Sequence, residues 1–538
     1  MTARRRLVLV GHGMVGHTLL TALDARGALR DLLVTVVAEE DVPAYDRIRL
    51  SRYFRETDPE DHLFRRPGPT GLLLGEPGLG DRAGIRVRLG DPAVAVDRRH
   101  RRVTTAAGHV VDYDHLVLAT GSRPLVPPVP GADATGCFTY RTAADVRALR
   151  THCETADTRV GTVIGGGLLG LEAAGALRSL GLTVQVVESA PWLMPRQLDE
   201  YGGQTLRRHI EDLDITVHTD TLLTAVETDA SDRATGVRLQ PRDGTPPVHL
   251  PAGVVVFAAG VRPRDDLARV CGLAVGEQGG IVVDETCRTE DERVYAVGDC
   301  ALTPDGRAPG MLAPGNAMAR VVADRLTGGS RTFTAWDTAT RLKLLGVVVA
   351  SLGDRLEEPT GATWTGPTGP SEVTGVTGPH VSYEAHGTYE SYEAAHLDTR
   401  AGVYRSLRVS GDGRLLGGTF VGDSSGYAAL RPLVGSGRPL PAPVEELVVP
   451  GPLPGRSAAV GALPDETVIC HCHNVLAGTV RSAVRGGCAD LAAVRDRTRA
   501  GSGCGSCTET VTALLSEERP APAVGLGPTT PTVTGSPV

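Results

Sequence analysis

The chain has 538 residues, too many for one compact domain, so three or four domains are expected. With 41% hydrophobic residues most of it can bury a core, while a net charge of −8 and a pI near 6.0 exclude nucleic acid as the main partner, because phosphate binding needs a basic surface. No apolar run is long enough to span a bilayer, so no membrane partner is expected, and ten cysteines in a chain of this length are no disulfide scaffold, which points to a reducing, cytoplasmic location.

Arg4-Arg5-Arg6 before an apolar stretch mimics the start of a secretion signal, but glycines at 11, 13 and 16 interrupt that stretch at once. Leu7-Val8-Leu9-Val10 instead reads as a buried strand, Gly11-His12-Gly13-Met14-Val15-Gly16 as a tight turn, and the residues through Leu19, Leu20 and Leu23 as a helix. A second strand, Leu32 to Val37, ends at Glu39-Glu40. This is a dinucleotide-binding βαβ pattern in its proper context. Gly11 makes the turn, Gly13 lets the backbone approach a pyrophosphate, Met14 opens the helix, and Gly16 lets helix and strand pack closely. Glu39 is placed to accept hydrogen bonds from a ribose.

The pattern recurs. Val160 to Ile164 is a strand, Gly165-Gly166-Gly167-Leu168-Leu169-Gly170 the turn, Leu171 to Leu180 the helix, and Leu182 to Val187 the next strand, ending at Glu188. Gly165, Gly167 and Gly170 repeat the glycine roles, and the acid at 188 favours the free 2′-hydroxyl of NADH over the 2′-phosphate of NADPH. Any cation beside these sites must be arginine in practice, since Lys343 is the only lysine.

Two such sites in one chain resemble the two-dinucleotide-binding flavoprotein reductases. His115-Leu116-Val117-Leu118-Ala119-Thr120-Gly121-Ser122-Arg123-Pro124 is similar to the strand and turn that close the first half of that family, Val254 to Gly260 to its counterpart in the second, and Val294-Tyr295-Ala296-Val297-Gly298-Asp299-Cys300 to the segment whose aspartate binds the flavin ribityl chain. The resemblance implies an α/β two-dinucleotide-binding fold with FAD at the first site, near Thr120, Gly121 and Asp299, and NADH at the second. No cysteine pair lies near these motifs, and the first cysteine is Cys137, so dithiol chemistry is not expected and the flavin itself is the redox centre.

Pro43-Ala44-Tyr45-Asp46-Arg47-Ile48-Arg49-Leu50-Ser51 closely resembles the flavin-proximal segment of the NADH-dependent assimilatory nitrite reductase large subunit family. The resemblance implies that Arg47 places a fixed positive charge near the flavin; the plain alternative is a surface or structural arginine. The likeness continues through Leu193 to Asp199, Thr340 to Gly346, Ser351 to Asp354 and Leu416 to Asp423, the later blocks implying a small α+β domain.

Residues 359–380 are rich in Thr, Gly and Pro and read as a low-complexity insertion; 433–463 read as a linker and 518–538 as a disordered tail. Between the last two, Cys470 and Cys472 form a CxC pair and Cys504 and Cys507 a CxxC pair, with short helices expected at Val475 to Val484 and Ala489 to Val494. Four thiolates in this pattern suit a [2Fe–2S] cluster or zinc. The glycines around the second pair resemble the bacterioferritin-associated-ferredoxin type of [2Fe–2S] module, which implies the cluster. His471 and His473 are expected to lie beside the ligands or at the surface.

The expected division is 1–130 and 256–335 for the FAD domain, 131–255 for the inserted NADH domain, 336–432 for the small α+β domain, 433–463 for the linker and 464–517 for a small helical cluster module. The expected activity is NADH oxidation with electrons passed through the cluster to a separate nitrate or nitrite reductase. No cysteine follows Cys507 to hold the sirohaem and [4Fe–4S] centre of complete nitrite reductases, so the chain is not expected to reduce nitrite by itself. A reductase of a small carrier such as rubredoxin or ferredoxin is the alternative enzyme, and a redox- or iron-sensing protein the alternative without catalysis. Anaerobic purification is expected to give about two iron and two labile sulfide per chain; one zinc without sulfide would exclude electron transfer by this module.

Overall fold

The computed structural model describes residues 4–55, 72–74, 84–156, 158–333, 338–353, 380–385, 391–451, 463–470, 472–473, 475–503 and 505–518. Leu7, Val8 and Leu9 have no exposed surface and Val10 almost none. A strand apolar on both faces belongs in the middle of a parallel sheet covered on both sides. The strand Arg5–Val10 accordingly sits at the centre of five parallel strands, in the order Val294–Ala296, His115–Leu118, Arg5–Val10, Leu32–Val37, Ile85–Arg88. Helices Met14–Ala25 and Leu312–Leu326 pack against each other, joined by a buried hydrogen bond of 2.8 Å from Thr18 Oγ1 to Asn316 Oδ1.

The second unit repeats the plan. Its five parallel strands run Ile215–His218, Thr183–Val187, Val160–Ile164, Val254–Phe257, Cys137–Thr139. The chain leaves the first unit along Ser122–Pro124 and returns along Val261–Pro263, and these two short strands pair antiparallel. The return therefore falls a few residues later than the expected 256, because Val254–Phe257 is held in the second sheet by Val160–Ile164. In both sheets the chain runs outward on one side of the strand that leads into the glycine turn, Arg5–Val10 or Val160–Ile164, and then crosses to the other, leaving a crevice at that strand's carboxyl end where nucleotides bind in open α/β sheets.

Six antiparallel strands follow, in the order Thr340–Leu344, Val347–Leu352, Leu415–Val421, Val403–Ser410, Ser391–Asp398, His380–Ala385. This small domain leans on the second unit, where the Tyr404 hydroxyl donates to Asp199 Oδ2 at 2.5 Å and His209 Nε2 meets the Gly402 carbonyl at 2.7 Å. The last unit is a hairpin, Val468–Cys470 with Val475–Leu476, and helices Ala477–Arg485, Leu491–Thr498 and Thr508–Glu518 around their own apolar core. Val475 and Leu476 are thus strand where helix was expected, since their backbone pairs with Val468 and Cys470.

Residues 433–451 are not linker: Val444–Val448 is a short helix whose Val444, Leu447 and Val448 are buried against the six-stranded sheet, packed in one cluster with Leu407 and Phe420. Their i, i+3, i+4 spacing forms an apolar stripe that outweighs the surrounding prolines. Residues 452–462, the low-complexity stretch 359–379 and the tail beyond Glu518 lie outside the described residues. Leu447→Ala is expected to lower stability by about 2–5 kcal/mol, seen as a lower Tm, whereas a linker leucine would leave it unchanged.

Candidate functional site

The two glycine turns are superimposable in their logic. Gly11 has φ +106° and Gly165 φ +115°, a region that side chains avoid, and a Cβ on either would meet the carbonyl of the neighbouring strand's extension, Ala119 O at 2.2 Å or Ala258 O at 2.4 Å. A Cβ on Gly16 would lie 2.5 Å from Gly11 O, and one on Gly170 1.9 Å from Gly165 O. These four glycines are dictated by the protein's own packing. The middle ones are different. A Cβ on Gly167 would meet nothing within 4 Å, and one on Gly13 only Arg47 Nη2 at 4.0 Å. Both N-cap twelve-residue helices that carry no side-chain cap and no acidic residue in their first turn. Two open cradles with uncapped N–H groups and unopposed dipoles suit two pyrophosphates.

At the first cradle, a cleft of about 290 Å³ is lined by Val10, Gly11, Val37, Glu39, Thr120 and Arg264. Arg264 pairs with Glu39 through two N–H groups, one of them at 3.1 Å, and holds the carboxyl below its usual range. Thr120 Oγ1 donates to the Arg264 carbonyl at 2.6 Å, and the Arg264 N–H donates to Gly121 O at 2.9 Å. Asp299 accepts from Ser122 Oγ at 2.8 Å and from Arg141 Nη2 at 2.9 Å. Met14, at the helix start, is buried.

Arg47 is half-buried and tied down by its neighbours. Its guanidinium pairs with Glu40, donates to the Arg141 carbonyl at 3.3 Å and lies 5.2 Å from the centre of the Tyr45 ring. Tyr45 in turn donates to Glu40 Oε2 at 2.6 Å and accepts the Ala143 N–H at 2.9 Å. Arg47 is therefore aimed at Gly13, in the middle of the phosphate cradle. His12 and His17 flank the same helix start, but burial pushes both down to about 4, so they are neutral near pH 7 and the positive charge there comes from arginine.

At the second cradle Glu188 is buried. Its Oε2 accepts the Gly166 N–H at 2.7 Å and its Oε1 the Ala190 N–H at 2.8 Å. The acid braces the glycine turn, and a carboxylate so engaged retains lone pairs for a ribose hydroxyl.

In the C-terminal module Cys470 and Cys507 are buried and in hydrogen-bond contact, and the Gly501 N–H donates to Cys507 Sγ at 3.0 Å. A Cβ on Gly503 would stand 2.9 Å from Cys472 Cβ. Cys470 and Cys507 thus come together and Cys472 packs against the same core, but among the described residues no three His, Cys, Asp or Glu side chains are grouped to hold a metal ion; Cys504 and His471 lie outside those residues. Converging thiols with an N–H aimed at sulfur fit a sulfur-ligated metal centre. His473 is buried, not at the surface: its Nδ1 stands 3.8 Å from Cys470 Sγ and its Nε2 2.8 Å from Asp46 Oδ2. Burial pushes its pKa down, but the Asp46 carboxylate and Cys470 push it up further, to about 9. Elsewhere Cys137, Cys153, Cys271, Cys287 and Cys300 are free thiols, each raised by burial, and Cys300 donates to strand carbonyls. No dithiol stands at the first cradle among the described residues.

Sequence reasoning missed Arg141, Arg264 and Asp46. The first two carry no local motif, whereas Asp46 stood inside the segment already singled out for Arg47.

The sites and sheets define an FAD- and NADH-dependent oxidoreductase with an appended [2Fe–2S] module. The family model of pyridine nucleotide-disulphide oxidoreductases matches residues 5–326 and that of the BFD-like [2Fe-2S] binding domain residues 468–517, so the chain belongs to the pyridine nucleotide-disulphide oxidoreductase family. It is 42% identical to the nitrite reductase [NAD(P)H] large subunit of Klebsiella oxytoca, over 95% of this chain and 48% of that one. It is 28% identical to the assimilatory nitrate reductase electron transfer subunit of Bacillus subtilis strain 168, over 95% of this chain and 59% of that one. The chain thus spans about half the length of the curated relatives it matches. Among solved structures, the ferredoxin reductase for the CYP199A2 system from Rhodopseudomonas palustris matches with a TM-score of 0.59 at 26% identity, covering 78% of this chain and 91% of that one. No helix among the described residues is long and apolar enough to cross a membrane.

The cradles predict a contrast. Gly170→Ala is expected to cost roughly 1–3 kcal/mol or more in thermal unfolding, because the helix must move off the strand. Gly167→Ala is expected to keep the wild-type Tm yet weaken NADH binding about tenfold in titration calorimetry, because its Cβ enters only the cradle.

Proposed function

We propose that this chain is an NADH-dependent FAD oxidoreductase that passes electrons singly, through its [2Fe–2S] cluster, to a separate terminal reductase of nitrate or nitrite assimilation in the cytoplasm. The observation that carries this reading is the seat of the cysteine module: His473 beside Cys470 bonds Asp46, the residue next to Arg47 at the first cradle. Bound at the two cradles, FAD would accept a hydride (two electrons and a proton) from NADH, which would become NAD⁺, and a cluster in the module would supply one-electron transfer onward, the proton being released to solvent.

The chain's own groups then have these roles. Gly11, Gly13, Met14 and Gly16 cradle the FAD pyrophosphate, and Arg47 adds a permanent cation beside it. Glu39 holds the adenosine ribose at the edge of its cleft, and freeing it requires only that Arg264 swing aside, an exposed pair of small cost. Thr120, Gly121 and Asp299 face the ribityl side, Asp299 being oriented by Ser122 and Arg141. Gly165, Gly167, Gly170 and Glu188 hold NADH. Cys470, Cys472, Cys504 and Cys507 ligate the cluster.

The names of the similar nitrite and nitrate reductase subunits support the choice of acceptor, and the likeness to a ferredoxin reductase supports one-electron delivery. Anaerobic NADH is expected to bleach the flavin and then reduce the cluster, and adding a nitrate- or nitrite-reducing partner should restore steady NADH loss. Turnover with a rubredoxin or ferredoxin alone would overturn the assigned acceptor. Absence of any bleaching would favour a sensor instead.

A further inference from the structure

The cysteine module meets the rest of the molecule through a handful of polar contacts. Arg341 donates to Gly505 O at 3.2 Å and Arg431 to Ser506 Oγ at 3.1 Å, both from the small domain. More deeply buried are the contacts to residues 45–54 and 72–74, a segment that follows the first unit's second strand and packs on the core of the second unit. The Asp46 side chain has no exposed surface; its Oδ1 accepts the Ile48 N–H at 3.0 Å and its Oδ2 meets His473 Nε2 at 2.8 Å, with the His473 side chain 3% exposed. Arg499 of the module donates to Leu73 O at 2.6 Å and lies near enough to feel the charge of Asp46. The seat is itself tied together, since the Asp46 N–H donates to Leu72 O and the Leu74 N–H to Ala44 O, each at 2.7 Å.

A carboxylate with no solvent access is tolerated only when its partners arrive with the surface that buries it. The hydrogen-bond partner of Asp46 across this contact, His473, belongs to the module, and Arg499 beside it is held on Leu73 O, so burying the seat and docking the module are one event. The next residue, Arg47, reaches the other way, over Gly13. One dipeptide therefore touches the cysteine module with its first side chain and the FAD cradle with its second.

We propose that Asp46 is a positioning residue for electron transfer: through His473, with Arg499 held beside it on Leu73, it latches the module to the segment that carries Arg47 over the FAD cradle, so the flavin and the cluster keep one fixed separation and the module does not swing between donor and acceptor. Only the rate measurement below rests on the electron-transfer reading.

The test uses the holoprotein and two variants. In Asp46→Ser the hydroxyl still accepts from the Ile48 N–H, keeping the local turn, but is too short to reach His473. Arg499→Gln loosens the same contact from the module side. Hydrogen–deuterium exchange of the oxidised protein is read at residues 44–50 and 72–74, and anaerobic stopped flow follows flavin bleaching and cluster reduction separately. Exchange at both segments is expected to rise roughly tenfold in each variant, as for a local opening. Flavin bleaching by NADH should stay within about twofold of wild type while cluster reduction slows about tenfold, the signature of lost positioning. Unchanged exchange in both variants would overturn the latch, as would cluster reduction that keeps its wild-type rate in an opened module. If NADH fails to bleach the wild-type flavin, the electron-transfer reading falls, and the exchange data still decide the latch.

Discussion

A helix can present bare N–H groups to a diphosphate only if it starts flush against the strand before it. In this protein that contact is made twice, and both times it is closer than any side chain allows: Gly16 rests on Gly11 O, and Gly170 on Gly165 O. Neighbouring strand extensions at Ala119 and Ala258 close the same turns from the far side. The rest follows from these two contacts. They point each helix dipole at the crevice between diverging strands, and they bring Glu39 and Glu188, at the ends of the next strands, to the rim of the same crevice. The four packing glycines leave Gly13 and Gly167 as open floor.

Charge at the first cradle is arranged with the same economy. Three arginines converge there, and each is held by a carboxylate: Arg47 by Glu40, Arg264 by Glu39, Arg141 by Asp299. A guanidinium stays charged wherever it is placed, so the cations need no tuned proton equilibrium, whereas the nearby imidazoles of His12 and His17 are driven neutral by burial. The pairing also limits motion. Arg47, boxed by Glu40, the Tyr45 ring and a carbonyl, gives up little freedom on meeting an anion, which is how preorganisation strengthens binding.

The small antiparallel domain joins the second nucleotide unit to the cysteine module. It grips the second nucleotide unit through Tyr404 and Gly402 and the cysteine module through Arg341 and Arg431. Its sheet is sealed by the helix Val444–Val448, so the chain is anchored until Gly451, shortly before the module begins. Buried in that sheet is Arg405, held by Asp423 at 2.9 Å and stacked 5.5 Å from the centre of Phe420. Such a group is costly unless fully surrounded by partners, and it ties the strand to the loop after Gly422.

Local chemistry made much of this legible in the amino-acid order alone. The βαβ units announce themselves because a buried parallel strand is a continuous apolar run, and because packing demands glycine at particular places within six residues. Both are short-range requirements. The cysteine spacing is equally local. The helix at 444–448 was also readable in principle, but its apolar stripe is only five residues long and was outweighed by the composition around it. What only the tertiary structure decided is which distant groups arrive at each turn. Arg141 reaches Arg47 across 94 positions, Arg264 reaches Glu39 across 225, and His473 reaches Asp46 across 427. No periodicity or spacing rule links such positions. They meet because the second nucleotide unit is threaded into the first and the last helices fold back over both. The amino-acid order therefore determined the cradles, and the packing of whole units decided their charge and what sits on them.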